Sequence, residues 1–172
     1  GGLITTNDVE IAEAARMLRV HGAKERYNNL LLGYNSRLDA MQAAILQVKL
    51  RHIDEWNSKR RWVAENYSRL LADTKGLSTP APAAGHVFHQ YTVRIVEGSR
   101  DRIRQSLADA GIGGMVYYPI PQDKLPIYAG LYHELPISNQ FSKEVISLPM
   151  WPELNLEQIE TVVSTLKKVI KL

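Results

Sequence analysis

From Arg37 to about Asp73 the chain carries neither proline nor glycine, so it reads as one long helical stretch. Its first half places Leu38, Met41, Ile45 and Val48 at the 3-4 spacing of a single helix face. Continuing that spacing reaches His52, Glu55 and Lys59, all polar. The apolar face resumes instead at Ile53, Trp56, Val63, Tyr67 and Leu70, one residue out of step. One residue is roughly 100° of helix rotation, so the two halves must meet different partners. The slip predicts a kink near residue 52 or a passage between packing layers, and a domain boundary there is the preferred reading: 1–52 in one domain, 53–172 in another.

Around that rod the pattern alternates. Gly1-Gly2-Leu3-Ile4-Thr5-Thr6 is strand-like with no partner strand beside it, and the opening reads as a truncation. Asn7 with Glu10 has the capping-box spacing ahead of Ile11, Ala14, Ala15 and Leu18, and Gly22 is placed to end that helix. Residues 23–35 read as a loop, as do residues 76–85 with Pro80 and Pro82. Residues 88–96 alternate and are rich in β-branched and aromatic side chains, which predicts a strand. Ser99 is expected to cap a helix through Ile103 and Leu107, closed by Gly111. Residues 115–118 read as a second strand stopped by Pro119, residues 122–135 as turns, 138–145 as a short helix and 146–148 as an extended run. A box of Asn155 and Gln158 opens the last helix, with Ile159, Val162, Val163, Leu166 and Ile170 on one side. The sum is a small α+β layer behind a long helix, without internal repeat.

Composition narrows the classes. A chain of 172 residues can bury roughly two thirds of its unfolded surface, enough for one good core. No apolar run approaches the ~20 residues of a membrane span, and no export leader is visible. With no cysteine there is neither a disulfide framework nor a thiolate metal site, which suits a cytoplasmic setting. The net charge of +3 comes from 21 basic and 18 acidic residues that are interspersed. The densest cluster, Lys59-Arg60-Arg61, is most simply a solvated helix face, so no nucleic-acid partner is expected. His86 and His89 stand three apart on the predicted strand and would face opposite ways, so no metal site is expected. No nucleophile elbow and no glycine-rich phosphate loop appears.

One segment says more. Gly33-Tyr34-Asn35-Ser36-Arg37-Leu38-Asp39-Ala40-Met41-Gln42-Ala43-Ala44-Ile45 resembles the GYNxRxDxxQAAI segment of the DegT/DnrJ/StrS family of PLP-dependent nucleotide-sugar aminotransferases. Gly1-Gly2 with Thr6-Asn7-Asp8, Leu18-Arg19-Val20-His21-Gly22, His86 to Tyr91, Val116 to Pro121 and Leu148 to Leu154 resemble further family motifs in the same order. The resemblance covers essentially the whole chain.

The resemblance implies an α/β parent enzyme of the aspartate-aminotransferase type, a fold type I PLP enzyme. This chain would hold the end of the large PLP-binding domain, the connecting helix and the small α+β C-terminal domain. It implies pyridoxal 5'-phosphate as cofactor, a homodimer, and a nucleotide-sugar substrate aminated from glutamate. The family's Schiff-base lysine and the acid facing the pyridine nitrogen fall before Gly1, and none of the nine lysines here stands in such surroundings. The chain alone is therefore expected to be inactive and to contribute no catalytic residue.

For individual residues the resemblance places Asn35 at the cofactor phosphate of the other subunit, where a neutral amide donates without competing charge. A turn role for Asn35 is the alternative. Arg37 is expected at the cofactor phosphate or the substrate diphosphate, or equally paired with Asp39 or another nearby carboxylate. Tyr117, Tyr118 and His89 fall where the family lines its sugar pocket, against the plainer reading of packed aromatic residues. Many relatives carry histidine where this chain has Asp123, which leaves the sugar preference open. Two rival readings remain: the family's PMP-dependent dehydratase branch, and a stand-alone dimerising or ligand-binding module.

Overall fold

The computed structural model describes residues 1–170. The chain divides into two compact units, Gly1–Ile53 and Asp54–Leu172.

The first unit begins with residues 1–7 outside any strand or helix, so the strand expected at its start does not form. Helix α1 spans Val9–Leu18. Its cap is Asp8 rather than Asn7: the Asp8 carboxylate accepts from the Glu10 and Ile11 amides at 2.9 and 3.1 Å. A carboxylate there also answers the positive end of the helix dipole. The segment expected to be a loop contains a small hairpin, β1 (Ala23–Glu25) with β2 (Asn28–Asn29). Its pairing escaped the sequence because strands this short carry no periodicity.

The long helical stretch is two helices. Helix α2 runs over Ala40–Leu50 and α3 over Ile53–Leu71, with Arg51 and His52 in the turn between them. The interruption falls where the apolar phase slips. It begins later than expected, because Asp39 stays extended and caps α2 through the Met41 and Gln42 amides. No residue of α2 is buried, whereas α3 buries Val63, Ala64, Tyr67 and Leu71.

The second unit carries the core. Strands β3 (Leu77–Ser78), β4 (Tyr91–Ile95) and β5 (Val145–Leu148) form an antiparallel sheet in the order β3-β4-β5. The register pairs Tyr91 with Leu148 and Val93 with Ile146, which puts those four side chains on one buried face. Helix α3 packs there with α4 (Arg100–Asp109) and α6 (Leu156–Ile170), bringing in Ile103, Leu107, Ile159, Val162, Val163 and Leu166. Each fully buried aliphatic side chain contributes roughly 1.5–3 kcal/mol. Helix α4 has the expected Ser99 cap, and Gly111 follows with φ of 74°. The Asn155–Gln158 box forms reciprocally, at 3.0 and 2.9 Å. Helix α5 spans Pro136–Glu144.

Two strand expectations fail here. β4 starts at Tyr91 because Phe88 holds φ at 48°, so His86 and His89 precede the strand rather than alternating along it. Residues 115–118 make only one bridge, Met115 to Ser147, and Tyr118 turns away with φ of 56°. Among the described residues no helix is long and apolar enough to cross a membrane.

Candidate cofactor and substrate sites

Asn35 is held by main chain. After α1, His21 and Gly22 take φ of 57° and 75°, and the Gly22 amide turns back to donate to the Met17 carbonyl at 2.9 Å. Residues 34–36 then run antiparallel beside this tail. The Tyr34 amide donates to Leu18 (2.7 Å), the His21 amide to Tyr34 (2.8 Å) and the Ser36 amide to Arg19 (2.9 Å), with Val20 bridged to Asn35. The approach demands glycine twice. A Cβ on Gly22 would lie 1.7 Å from the Leu31 carbonyl oxygen, and one on Gly33 would lie 2.1 Å from the Gly22 nitrogen.

The side chains that emerge are unengaged. Asn35 and Arg37 are both exposed, and neither makes a side-chain hydrogen bond or ion pair among the described residues. Arg37 does not pair with Asp39, whose carboxylate is occupied capping α2. The result is an amide and a guanidinium two residues apart, with the nearest acid in sequence already in use.

The other predicted residues lie in the second unit, around two cavities. The larger, about 770 Å³, is lined by His89, Gly113, Gly114, Tyr117, Trp151 and Gln158 among others. The smaller, about 300 Å³, is lined by Tyr117, Tyr118, Gln122, Asp123, Ser138 and Phe141 with apolar neighbours. Tyr117 is common to both. His89 borders only the larger and Tyr118 only the smaller, so the three residues predicted for one pocket divide between two.

Two phenol hydroxyls make hydrogen bonds near the cavities, and one of them reaches Pro149 in the wall of the larger. Tyr67 donates to the Pro149 carbonyl at 3.0 Å, and Tyr91 shares a hydrogen bond of 2.8 Å with Ser68. Burial pushes both phenols above their ordinary pKa, so they remain protonated donors. Sequence reasoning missed the Gly113–Gly114 wall, where a Cβ on Gly114 would come within 2.8 Å of the Ile146 side chain. Two adjacent glycines were the available signal. It also missed Asn155 and Gln158, which line the cavity while their side-chain oxygens serve the cap. Asp123 stood out only as a departure from a motif; the fold makes it a cavity wall. No described lysine lines either cavity, or a third of about 290 Å³ beside His86 and Phe88. Lys171 lies outside the described residues.

The architecture has solved counterparts. The structure of S. venezuelae DesV in complex with a ketimine intermediate superposes with a TM-score of 0.89 at 37% identity, over 97% of this chain and 46% of that one. A transaminase of Streptomyces venezuelae, named for dTDP-3-amino-3,4,6-trideoxy-α-D-glucose, is 39% identical over 173 residues, 98% of this chain and 45% of the relative. A pleiotropic regulatory protein of Geobacillus stearothermophilus is 49% identical over 170 residues, 95% of this chain and 45% of the relative. The chain thus spans about half the length of the curated relatives it matches, and its mixed α/β architecture is that of part of a fold type I aminotransferase. The profile of the DegT/DnrJ/EryC1/StrS aminotransferase family matches residues 1–167, and the chain belongs to that family.

Proposed function

We propose that this chain is the C-terminal part of a PLP-dependent aminotransferase that moves an amino group from glutamate to the keto group of a nucleotide-linked deoxysugar. The observation that carries the reading is the pair Asn35 and Arg37: two exposed donor side chains, unpartnered among the described residues, on a segment clamped by main-chain bonds. Their chemistry fits a phosphate, since both offer N–H groups and the adjacent Asp39 carboxylate is engaged elsewhere. Pyridoxal phosphate, when bound, supplies the electron-withdrawing ring that transamination requires.

In this reading residues 1–52 are the end of the large domain with the first half of the connecting helix, and residues 53–172 are the small domain. Asn35 donates to the cofactor phosphate of a second subunit, and Arg37 neutralises that phosphate or the substrate diphosphate. The homodimer finds support in α2, where Met41, Ile45 and Val48 are 74%, 53% and 57% exposed and offer an apolar face for a second copy. Tyr117, Tyr118 and His89 orient the sugar and exclude water around it. A cytoplasmic setting accords with a cysteine-free chain. Residues 1–172 by themselves are inactive in this reading, in keeping with the absence of a described lysine from the walls of these three cavities.

The test is a full-length form of the protein, assayed for PLP uptake by absorbance and for glutamate-dependent amination of nucleotide ketosugars. Uptake weakened by N35A, together with glutamate turnover in the unaltered enzyme, is the expected result. Residues 1–172 alone, treated with PLP and borohydride, are expected to fix no cofactor. Reductive attachment to any lysine of this chain, or PLP affinity indifferent to Asn35, would overturn the reading.

A further inference from the structure

The smaller cavity of the second unit holds a carboxylate with no stated task. Asp123 is half-buried, lines the cavity with Tyr117 and Tyr118, and makes no side-chain hydrogen bond or ion pair among the described residues. Its neighbour Lys124 is exposed and unpaired with it. Unlike Asp8 and Asp39, which cap helices, Asp123 is the residue of a three-residue 3-10 turn, Gln122–Lys124, with no capping bond. Withdrawing a carboxylate from water without a partner is unfavourable, so the site gains from any group that brings a donor to it.

The remaining walls say what kind of group. Leu135, Phe141 and Val145 are apolar, the lining surface is mostly carbon, and Tyr117, Tyr118, Gln122 and Ser138 are the other residues there with a polar group. Apolar surface beside a few placed polar groups suits a sugar ring, whose C–H faces lie on carbon while its hydroxyls donate. In a cavity of about 300 Å³ an occupant stands close to Asp123, so a second negative charge there is repelled by it.

We propose that Asp123 is a specificity-determining residue: its carboxylate accepts hydrogen bonds from sugar hydroxyl or amino groups and selects uncharged sugars against uronates. The inference rests on the reading that Tyr117 and Tyr118 face the sugar. It assigns to the position a selection by charge, and so a substrate class.

The experiment uses a full-length, PLP-loaded form of the protein with two probes, a nucleotide-linked ketohexose and the corresponding ketohexuronate. The two differ only by hydroxymethyl against carboxylate. The wild type is expected to favour the neutral sugar by about tenfold or more in kcat/KM, a loss on the order of one unfavourable charge contact. D123N is expected to bring the ratio to within about threefold, and D123E, which keeps the charge, to restore the preference. PLP absorbance checks that each variant is assembled. A working wild type whose ratio D123N leaves unchanged, or which prefers the uronate, overturns this inference while leaving the aminotransferase reading standing. A protein that takes up no PLP overturns both.

Discussion

Gly33 lies against Gly22 so closely that a methyl group on Gly33 would fall 2.1 Å from the Gly22 nitrogen and 2.6 Å from the His21 carbonyl carbon. No side chain can be accommodated, and the clash is with main chain that cannot rotate away. G33A is therefore expected to spring residues 33–36 from the α1 tail. The loss belongs with severe core lesions, about 2 kcal/mol or more. Hydrogen exchange checks it, with the His21, Tyr34 and Ser36 amides losing protection while the β4 amides keep theirs.

Asn35 makes the opposite prediction. Its side chain contributes nothing to the fold, so N35A is expected to leave the thermal midpoint of the full-length protein unchanged. PLP should bind about tenfold more weakly, the measure of one lost charge-assisted hydrogen bond. N35D should bind more weakly still, since it sets a carboxylate against a phosphate. Titration followed by the cofactor's absorbance reads the wild type and both variants.

Arg100 is a structural charge. It is 7% exposed, and its Nη1 donates to the carbonyls of Ser142 and Val145 at 3.0 and 2.9 Å, joining α4 to the start of β5. R100M keeps most of the volume but leaves two carbonyls without a donor. A cost of about 2–4 kcal/mol in urea unfolding is expected. R100K, with a point charge in place of a fork, should recover only part of it.

The pH limits of the second unit follow from two directions. Hydrogen bonds from Gln140 and Arg94 hold the Glu144 carboxyl below its ordinary range. A depressed carboxylate gives stability that is present above the unfolded value and lost as pH falls through the folded one. Acid unfolding should thus steepen below the ordinary glutamate range, and E144Q should flatten that limb. Tyr67 is the converse: burial pushes its phenol up, so its stability is present below about pH 10 and lost as pH rises beyond it. Y67F should shift alkaline unfolding upward relative to its own midpoint at neutral pH.

What the sequence disclosed follows the range of the interactions. Ser99, Gly111 and the Asn155–Gln158 box act within one turn of chain, and each is found where its spacing puts it. β3 was hidden because Leu77 and Ser78 owe their conformation to Ile95 and Arg94 across the sheet. The strand expected at 115–118 was overruled by Tyr118, whose positive φ no propensity of tyrosine would forecast. For the sites, motif spacing led to Asn35 and Arg37. The division of His89, Tyr117 and Tyr118 between two cavities depends on contacts remote in sequence, as does the arrival of Asp123 beside the tyrosines.

Tyr117 has one more bearing, on redesign. Tyr117 borders both cavities, so Y117A, chosen to enlarge one of them, would alter the other as well. Reshaping one compartment without disturbing its neighbour therefore calls for changes at walls the two do not share.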